Sequence, residues 1–150
     1  MNPLMINGGK PIEILLVEDC VDEAELTMES LRDGRVRNRI HWVEDGEEAM
    51  AFLRRRDRHA GAPRPDLILL DLRLPRMSGH EVLAEIKQDN DLKRIPVVIM
   101  TTSDDERDIN AAYDHHANCY VTKPVDMDKF IEAVKSIEEF WLTLVHLPAA

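Results

Sequence analysis

The chain alternates between short apolar runs and longer stretches in which apolar residues recur three or four positions apart. Ile12–Val17 (IEILLV) is short and β-prone, which predicts a strand. Val21, Ala24, Met28 and Leu31 then recur at helical spacing, with Gly34 just past the expected end. Ile40–Val43 reads as a second strand. Asp45 is placed to cap a helix whose inner face carries Ala49, Phe52 and Leu53. Gly61, Pro63 and Pro65 mark a loop before a third strand, Leu67–Leu70. Ser78 opens a third helix with Val82, Leu83 and Ile86 inward. Pro96 leads into a fourth strand, Val97–Met100. Ser103 or Asp104 is the expected cap of a fourth helix through Ile109, Ala112 and Tyr113. Cys119–Val121 is a short fifth strand. The last helix starts near Asp126 and carries Phe130, Val134, Ile137 and Trp141 on one stripe.

Strand followed by helix, five times over, predicts an α/β fold with a parallel sheet covered on both faces. The unbroken apolar runs of the first, third and fourth strands fit burial on both sides. Right-handed crossovers leave few arrangements. The expected one is a doubly wound five-stranded parallel sheet of order 2-1-3-4-5, the flavodoxin-like topology. Such sheets bind ligands beyond the carboxyl ends of their strands. The expected organisation is a lead-in over residues 1–10, one domain over 11–141 and a tail over 142–150.

Bulk properties narrow the function. Of 150 residues, 44% are hydrophobic and 32% charged, the balance of a soluble globular domain. A formal net charge of −10 argues against a nucleic-acid-binding surface. The basic cluster Arg54, Arg55, Arg56 and Arg58 reads as a solvated helix end. No apolar run approaches the ~20 residues of a membrane span. The N-terminus lacks the pattern of a secretion signal. Two cysteines, Cys20 and Cys119, do not make a disulfide framework, so a reduced, cytoplasmic protein is expected.

The strands of a parallel sheet all end on the same edge. The first ends in Glu18-Asp19, the third in Asp71, the fourth in Thr101-Thr102, and the fifth near Thr122-Lys123 before Pro124. Carboxylates, a hydroxyl and an ammonium should therefore meet in one shallow cleft. Acids held together repel, and desolvation adds to the cost. Mg2+, which takes oxygen ligands from one or two carboxylates plus waters and phosphate oxygens, resolves that conflict. It could sit against Glu18, Asp19 and Asp71, with a backbone carbonyl from the turn at Arg73. A carboxylate ringed by metal, lysine and hydroxyl suits phosphoryl transfer, with Asp71 as nucleophile. Taken singly, each group has a plainer reading: a helix cap, a turn, a strand-end hydroxyl, a loop lysine. Their joint placement favours a site.

LLVEDC (Leu15–Cys20), LILLDLRLPRMSG (Leu67–Gly79), PVVIMTTS (Pro96–Ser103) and YVTKP (Tyr120–Pro124) resemble the receiver domain of two-component response regulators. The resemblance covers about Pro11 to Trp141. It implies that Glu18 and Asp19 are the acidic pair and Asp71 the phosphoacceptor, charged by a histidine kinase. It also implies that Arg73 offers its carbonyl to Mg2+ and that Thr101 and Lys123 contact the phosphoryl group. A cis Lys123–Pro124 peptide is expected on the same basis. Tyr120 stands where the family has its aromatic switch residue. Phosphorylation would draw Thr101 inward, let Tyr120 turn in, and reshape the face of helix four, strand five and helix five. DGEEAMAFLRRR, HANCYVTKPVD and SIEEFWLTLVHLP further resemble the stand-alone regulators that partner bacterial phytochrome histidine kinases. His115-His116 departs from receivers at large, which commonly carry a glycine in that loop. It reads as a cap or surface pair rather than a metal site.

Only nine residues follow Trp141, too few for an output module, so the expected output is protein contact or onward phosphotransfer. The implied protein is a signalling phosphoacceptor rather than an enzyme. Phe140-Trp141-Leu142 either packs on the domain's own core or forms a homodimer seam with the face of helix four, strand five and helix five. A haloacid-dehalogenase-type phosphatase would need an acid two residues after the nucleophile, where Arg73 stands. A flavin-binding domain would need a hydroxyl- and glycine-rich loop where this chain has EDCVDEAE. An unphosphorylated interaction module would not need the full acid, threonine and lysine set.

Overall fold

The computed structural model describes residues 10–149. Of the expected lead-in over residues 1–10, only Lys10 falls among them. Five strands, β1 (Ile12–Val17), β2 (Asn38–Val43), β3 (Leu67–Leu70), β4 (Val97–Thr101) and β5 (Cys119–Thr122), form one sheet. Its order is β2-β1-β3-β4-β5, as expected, and each adjacent pair is parallel. The helices are α1 (Val21–Arg32), α2 (Gly46–Leu53), α3 (Gly79–Gln88), α4 (Glu106–Asp114) and α5 (Met127–Glu139).

Alternation along each strand divides the core in two. Leu15, Val17, Ile68, Leu70, Val97 and Ile99 join Phe52 of α2 and Val82, Leu83 and Ile86 of α3 on one face. Ile14, Leu16, Leu67, Leu69, Val98 and Met100 join Leu31 of α1 and Phe130, Val134 and Ile137 of α5 on the other. Full burial of each such side chain contributes about 1.5–3 kcal/mol. The expected inner stripes of α2, α3 and α5 are therefore the observed ones.

Elsewhere the structure differs. β2 begins at Asn38 because the Asn38 amide ties into the preceding turn, donating to the carbonyls of Leu31 (3.1 Å) and Val36 (2.9 Å). The cap of α4 is Asp105, not Ser103 or Asp104: its carboxylate accepts the Arg107 N–H at 2.8 Å, while the Ser103 hydroxyl turns to Asp108. Tyr113 is 49% exposed, and within α4 only Ala112 is fully buried. Val21 overhangs the rim at the start of α1, and Ala24, Thr27, Ser30 and Leu31 form the inner stripe. Past α5 a wider π-type turn, Phe140–Leu144, buries Trp141 and Leu142. Val145 and Leu147 pack against the same core, while Phe140 and Leu144 face outward. Both cysteines are free thiols.

His115 closes α4 and His116 follows with φ of 67°, a left-handed backbone that a β-carbon disfavours. His116→Gly should therefore raise stability by about 1 kcal/mol and Tm by about 2–4 °C, as read by thermal unfolding.

Glu138 of α5 supports the α1–β2 turn. Its Oε1 accepts the Arg35 N–H at 3.2 Å, while Oε2 is buried with no partner among the described residues. Desolvation raises its pKa above the ordinary carboxylate value. The folded state thus binds this proton more tightly than the unfolded state, and stability falls as pH rises above the ordinary carboxylate value. Glu138→Gln removes that loss. The variant should gain Tm over the parent as pH goes from about 5 to about 7.5, and a pH-independent difference between them would contradict the assignment.

Candidate functional site

Register brings the expected residues to one edge. Val17 pairs with Leu70, Leu70 with Ile99, and Thr101 with Thr122. The residues that follow, Glu18, Asp71 and Lys123, leave the sheet side by side. Two backbone bonds hold the rim: Asp71 N–H donates to the Val17 carbonyl (3.1 Å), and Lys123 N–H to the Thr101 carbonyl (2.6 Å). Gly79, at the start of α3, crosses directly over this rim. A β-carbon there would lie 2.1 Å from the Asp71 carbonyl oxygen, so only glycine lets α3 begin so close to the acid.

Lys123 is the centre of the cluster. Its buried Nζ donates to Asp71 Oδ2, Glu18 Oε2 and Glu23 Oε2, each at 2.8 Å. Glu18, Asp71 and Lys123 are buried, whereas Asp19 is exposed at the mouth. Three carboxylates thus share one ammonium. Burial pushes Glu18 up to about 9 despite the pull of Lys123. Burial acts upward on Asp71 too, but the hydrogen bond and charge of Lys123 outweigh it and hold Asp71 below its ordinary value. Glu23 is lowered in the same way. For Lys123, desolvation is outweighed by bonds to the three acids, which keep it above the ordinary lysine range. Lys123 thus favours the ionised form of Asp71 and burial the protonated form of Glu18, in a cluster whose three carboxylates outnumber its one ammonium.

A divalent cation would answer that excess. Glu18, Asp19 and Asp71 each offer an oxygen, and these atoms lie within 4.8 Å of one another. Oxygen donors at this spacing, next to an open mouth, fit a hard cation that keeps part of its water. Arg73, two residues beyond Asp71, donates its N–H to Asp71 Oδ1 at 3.1 Å. Among the described residues the buried Thr101 hydroxyl has no hydrogen-bond partner, which leaves it available to a ligand. The Tyr120 hydroxyl donates to the Ser103 carbonyl at 2.8 Å, which fixes the ring against the loop between β4 and α4.

All seven expected residues lie at this end of the sheet. The Lys123–Pro124 peptide is trans, contrary to the expected cis form. Lys123 reaches all three acids from a trans peptide, the intrinsically favoured isomer. Glu23 was not anticipated. It reads as an acid in the first turn of α1, where the helix dipole favours one. The available signal was its position four residues before Thr27, a buried residue of the inner stripe.

A doubly wound parallel sheet with an acid cluster and a lysine at its carboxyl edge defines a class, and comparison gives it a family. A family model described as the response regulator receiver domain matches residues 14–135. The chain belongs to that family and is a signalling protein. Among individual proteins it is 49% identical to the response regulator Rcp1 of Synechocystis over 143 residues, covering 95% of this chain and 97% of that one. The crystal structure of the Mn2+-bound form of Rcp1 superposes with a TM-score of 0.90 at 49% identity, over 93% of this chain and 100% of that one. The phosphorylated cyanobacterial phytochrome response regulator RcpA gives a TM-score of 0.91 at 50% identity, over 93% and 100%. Among the described residues no helix is long and apolar enough to cross a membrane.

Proposed function

We propose that this chain is a stand-alone response regulator that accepts a phosphoryl group on Asp71 from a histidine kinase and signals through protein contacts. The observation that carries the reading is the Lys123 ammonium, 2.8 Å from both Asp71 Oδ2 and Glu18 Oε2 beside an unpartnered Thr101 hydroxyl. Ionised Asp71 attacks the phosphorus of a phosphohistidine. An O–P bond forms, the P–N bond breaks, and the departing imidazole takes up a proton. Lys123 turns from the carboxylate to a phosphoryl oxygen, and the Thr101 hydroxyl donates to another. Glu18, Asp19, Asp71 and the Arg73 carbonyl would hold Mg2+. When bound, the cation neutralises charge on the transferring group. The same groups would let the chain promote its own phosphorylation by small phosphodonors and its own dephosphorylation.

Similarity to Rcp1 and RcpA favours a bacterial phytochrome as the kinase, in the cytoplasm. The test is phosphotransfer from phytochrome and non-phytochrome histidine kinases, with the labelled peptide mapped. Preferential labelling of the Asp71 peptide by the former is expected, and equal labelling by all would remove the phytochrome link.

The outward-facing Phe140 and Leu144 support a homodimer seam that includes the face of α4, β5 and α5 and the tail. Truncation would remove buried Trp141 and Leu142, so substitution is the cleaner test. The double variant Phe140→Glu/Leu144→Glu should sediment as a monomer at concentrations where the parent self-associates. An unaltered profile would remove the seam.

A further inference from the structure

Asp108 is a charged residue for which the phosphoryl-acceptor reading has no use, yet it gathers groups from three other segments. Its Oδ2 accepts the Ser103 hydroxyl at 2.6 Å and the Arg73 Nη2 at 3.2 Å. Its Oδ1 lies 3.2 Å from His80 Nε2 of α3. The other ring nitrogen of His80 is buried without a partner among the described residues, so the Asp108 contact is the one that orients the ring. None of this is needed to start α4, since Asp105 caps that helix and Glu106 supplies an acid to its first turn.

Followed in both directions, these contacts connect the acceptor to the helix. Asp71 Oδ1 accepts the Arg73 N–H, the Arg73 guanidinium meets Asp108, Asp108 holds the Ser103 hydroxyl, and the Ser103 carbonyl holds the Tyr120 hydroxyl. α4 itself is lightly anchored, with Ala112 its one fully buried residue. A helix with so little buried area depends on its polar ties for its position.

We propose that Asp108 is a positioning residue for the acceptor site: it holds Arg73 so that its N–H meets Asp71, and it makes the placement of α4 depend on what Asp71 carries. This rests on Asp71 as the phosphoacceptor. Esterification of Asp71 converts an ionised oxygen into a P–O–C link and changes what the Arg73 N–H can bond. Through Asp108 that change reaches Ser103 and α4 together.

The test uses the full chain with Mg2+ and acetyl phosphate. Asp108→Ala should slow labelling of Asp71 about tenfold, the scale seen when a group supporting a site is removed. Arg73→Ala should slow it similarly. The double variant should be no slower than either single one, because both break the same link. Asp108→Asn keeps the oxygen that both the Ser103 hydroxyl and Arg73 meet, so it should retain the parent Tm and recover much of the labelling rate that Asp108→Ala loses. On adding beryllofluoride, amide exchange in residues 106–114 should change in the parent and stay unchanged in Asp108→Ala.

Labelling of Asp108→Ala at the parent rate would overturn the proposal, as would rate losses that multiply in the double variant. A drop in Tm with an unaltered rate would assign Asp108 to stability alone and would also overturn it. If the parent itself takes no label, or Asp71→Asn is labelled, the acceptor assignment falls first and this proposal with it.

Discussion

Asp71→Asn loses phosphorylation by acetyl phosphate or by a phosphorylated kinase, with labelling down at least about a thousandfold. The amide nitrogen has no free pair to offer phosphorus, and the remaining amide oxygen is a poor nucleophile. The fold should not suffer. An asparagine oxygen can still accept the Arg73 N–H that Asp71 Oδ1 accepts at 3.1 Å. Burial is what pushes Glu18 up to about 9, and removing one of three carboxylates around Lys123 takes away the smaller upward push that Asp71 adds. The variant should therefore unfold at the parent's temperature or slightly above it. The measurement is intact mass after phosphodonor treatment, with peptide mapping. Glu18, Glu23 and Asp19 are the nearby carboxylates that could take the phosphoryl group instead, and label on any of them would move the acceptor.

The fold was legible because its signals are local and repeated. Leu67–Leu70 is apolar at every position, and in the structure all four side chains are buried, as a central parallel strand requires. Asp45, Ser78 and Asp126 stand directly before helical runs, and each accepts an N–H from the first turn. The site was legible for a different reason. Once strands are parallel, the residues after Val17, Leu70 and Thr122 must share an edge, so Glu18, Asp71 and Lys123 follow from topology. Glu23 and Asp108 escaped because both lie on helices, where contacts depend on helix phase and tilt rather than on a shared edge. An acid in a first turn has an ordinary reading in the helix dipole, and nothing adjacent separates that reading from a second partner. The cap of α4 escaped for a related reason. Ser103, Asp104 and Asp105 all have capping side chains, and tertiary competition decided among them when Asp108 claimed the Ser103 hydroxyl.

Lys123→Ala should lower stability in the absence of divalent cations by about 2–3 kcal/mol, less than the 3–5 expected when a buried charge is stranded outright. The reason is the single ammonium. With Nζ gone, Glu18, Glu23 and Asp71 lose the donor that each now holds at 2.8 Å. The carboxyls can limit the damage by taking up protons, which keeps the cost below that of a stranded ion. Mg2+ or Mn2+ should return most of the lost stability, because the substitution leaves in place Glu18, Asp19 and Asp71, whose oxygens lie within 4.8 Å of one another in the parent. The parent should gain less from the same addition, since Lys123 already neutralises part of the cluster. Phosphorylation of Asp71 should persist at a reduced rate, but the response of any dimer should be lost, because no ammonium follows the phosphoryl group. Thermal unfolding with and without metal, run beside amide exchange on the phosphorylated variant, reads both effects. Equal stabilisation of parent and variant by Mg2+ would mean that Lys123 and the cation do not act on the same charges. The cluster would then be a structural ion network rather than a metal-assisted phosphoryl site.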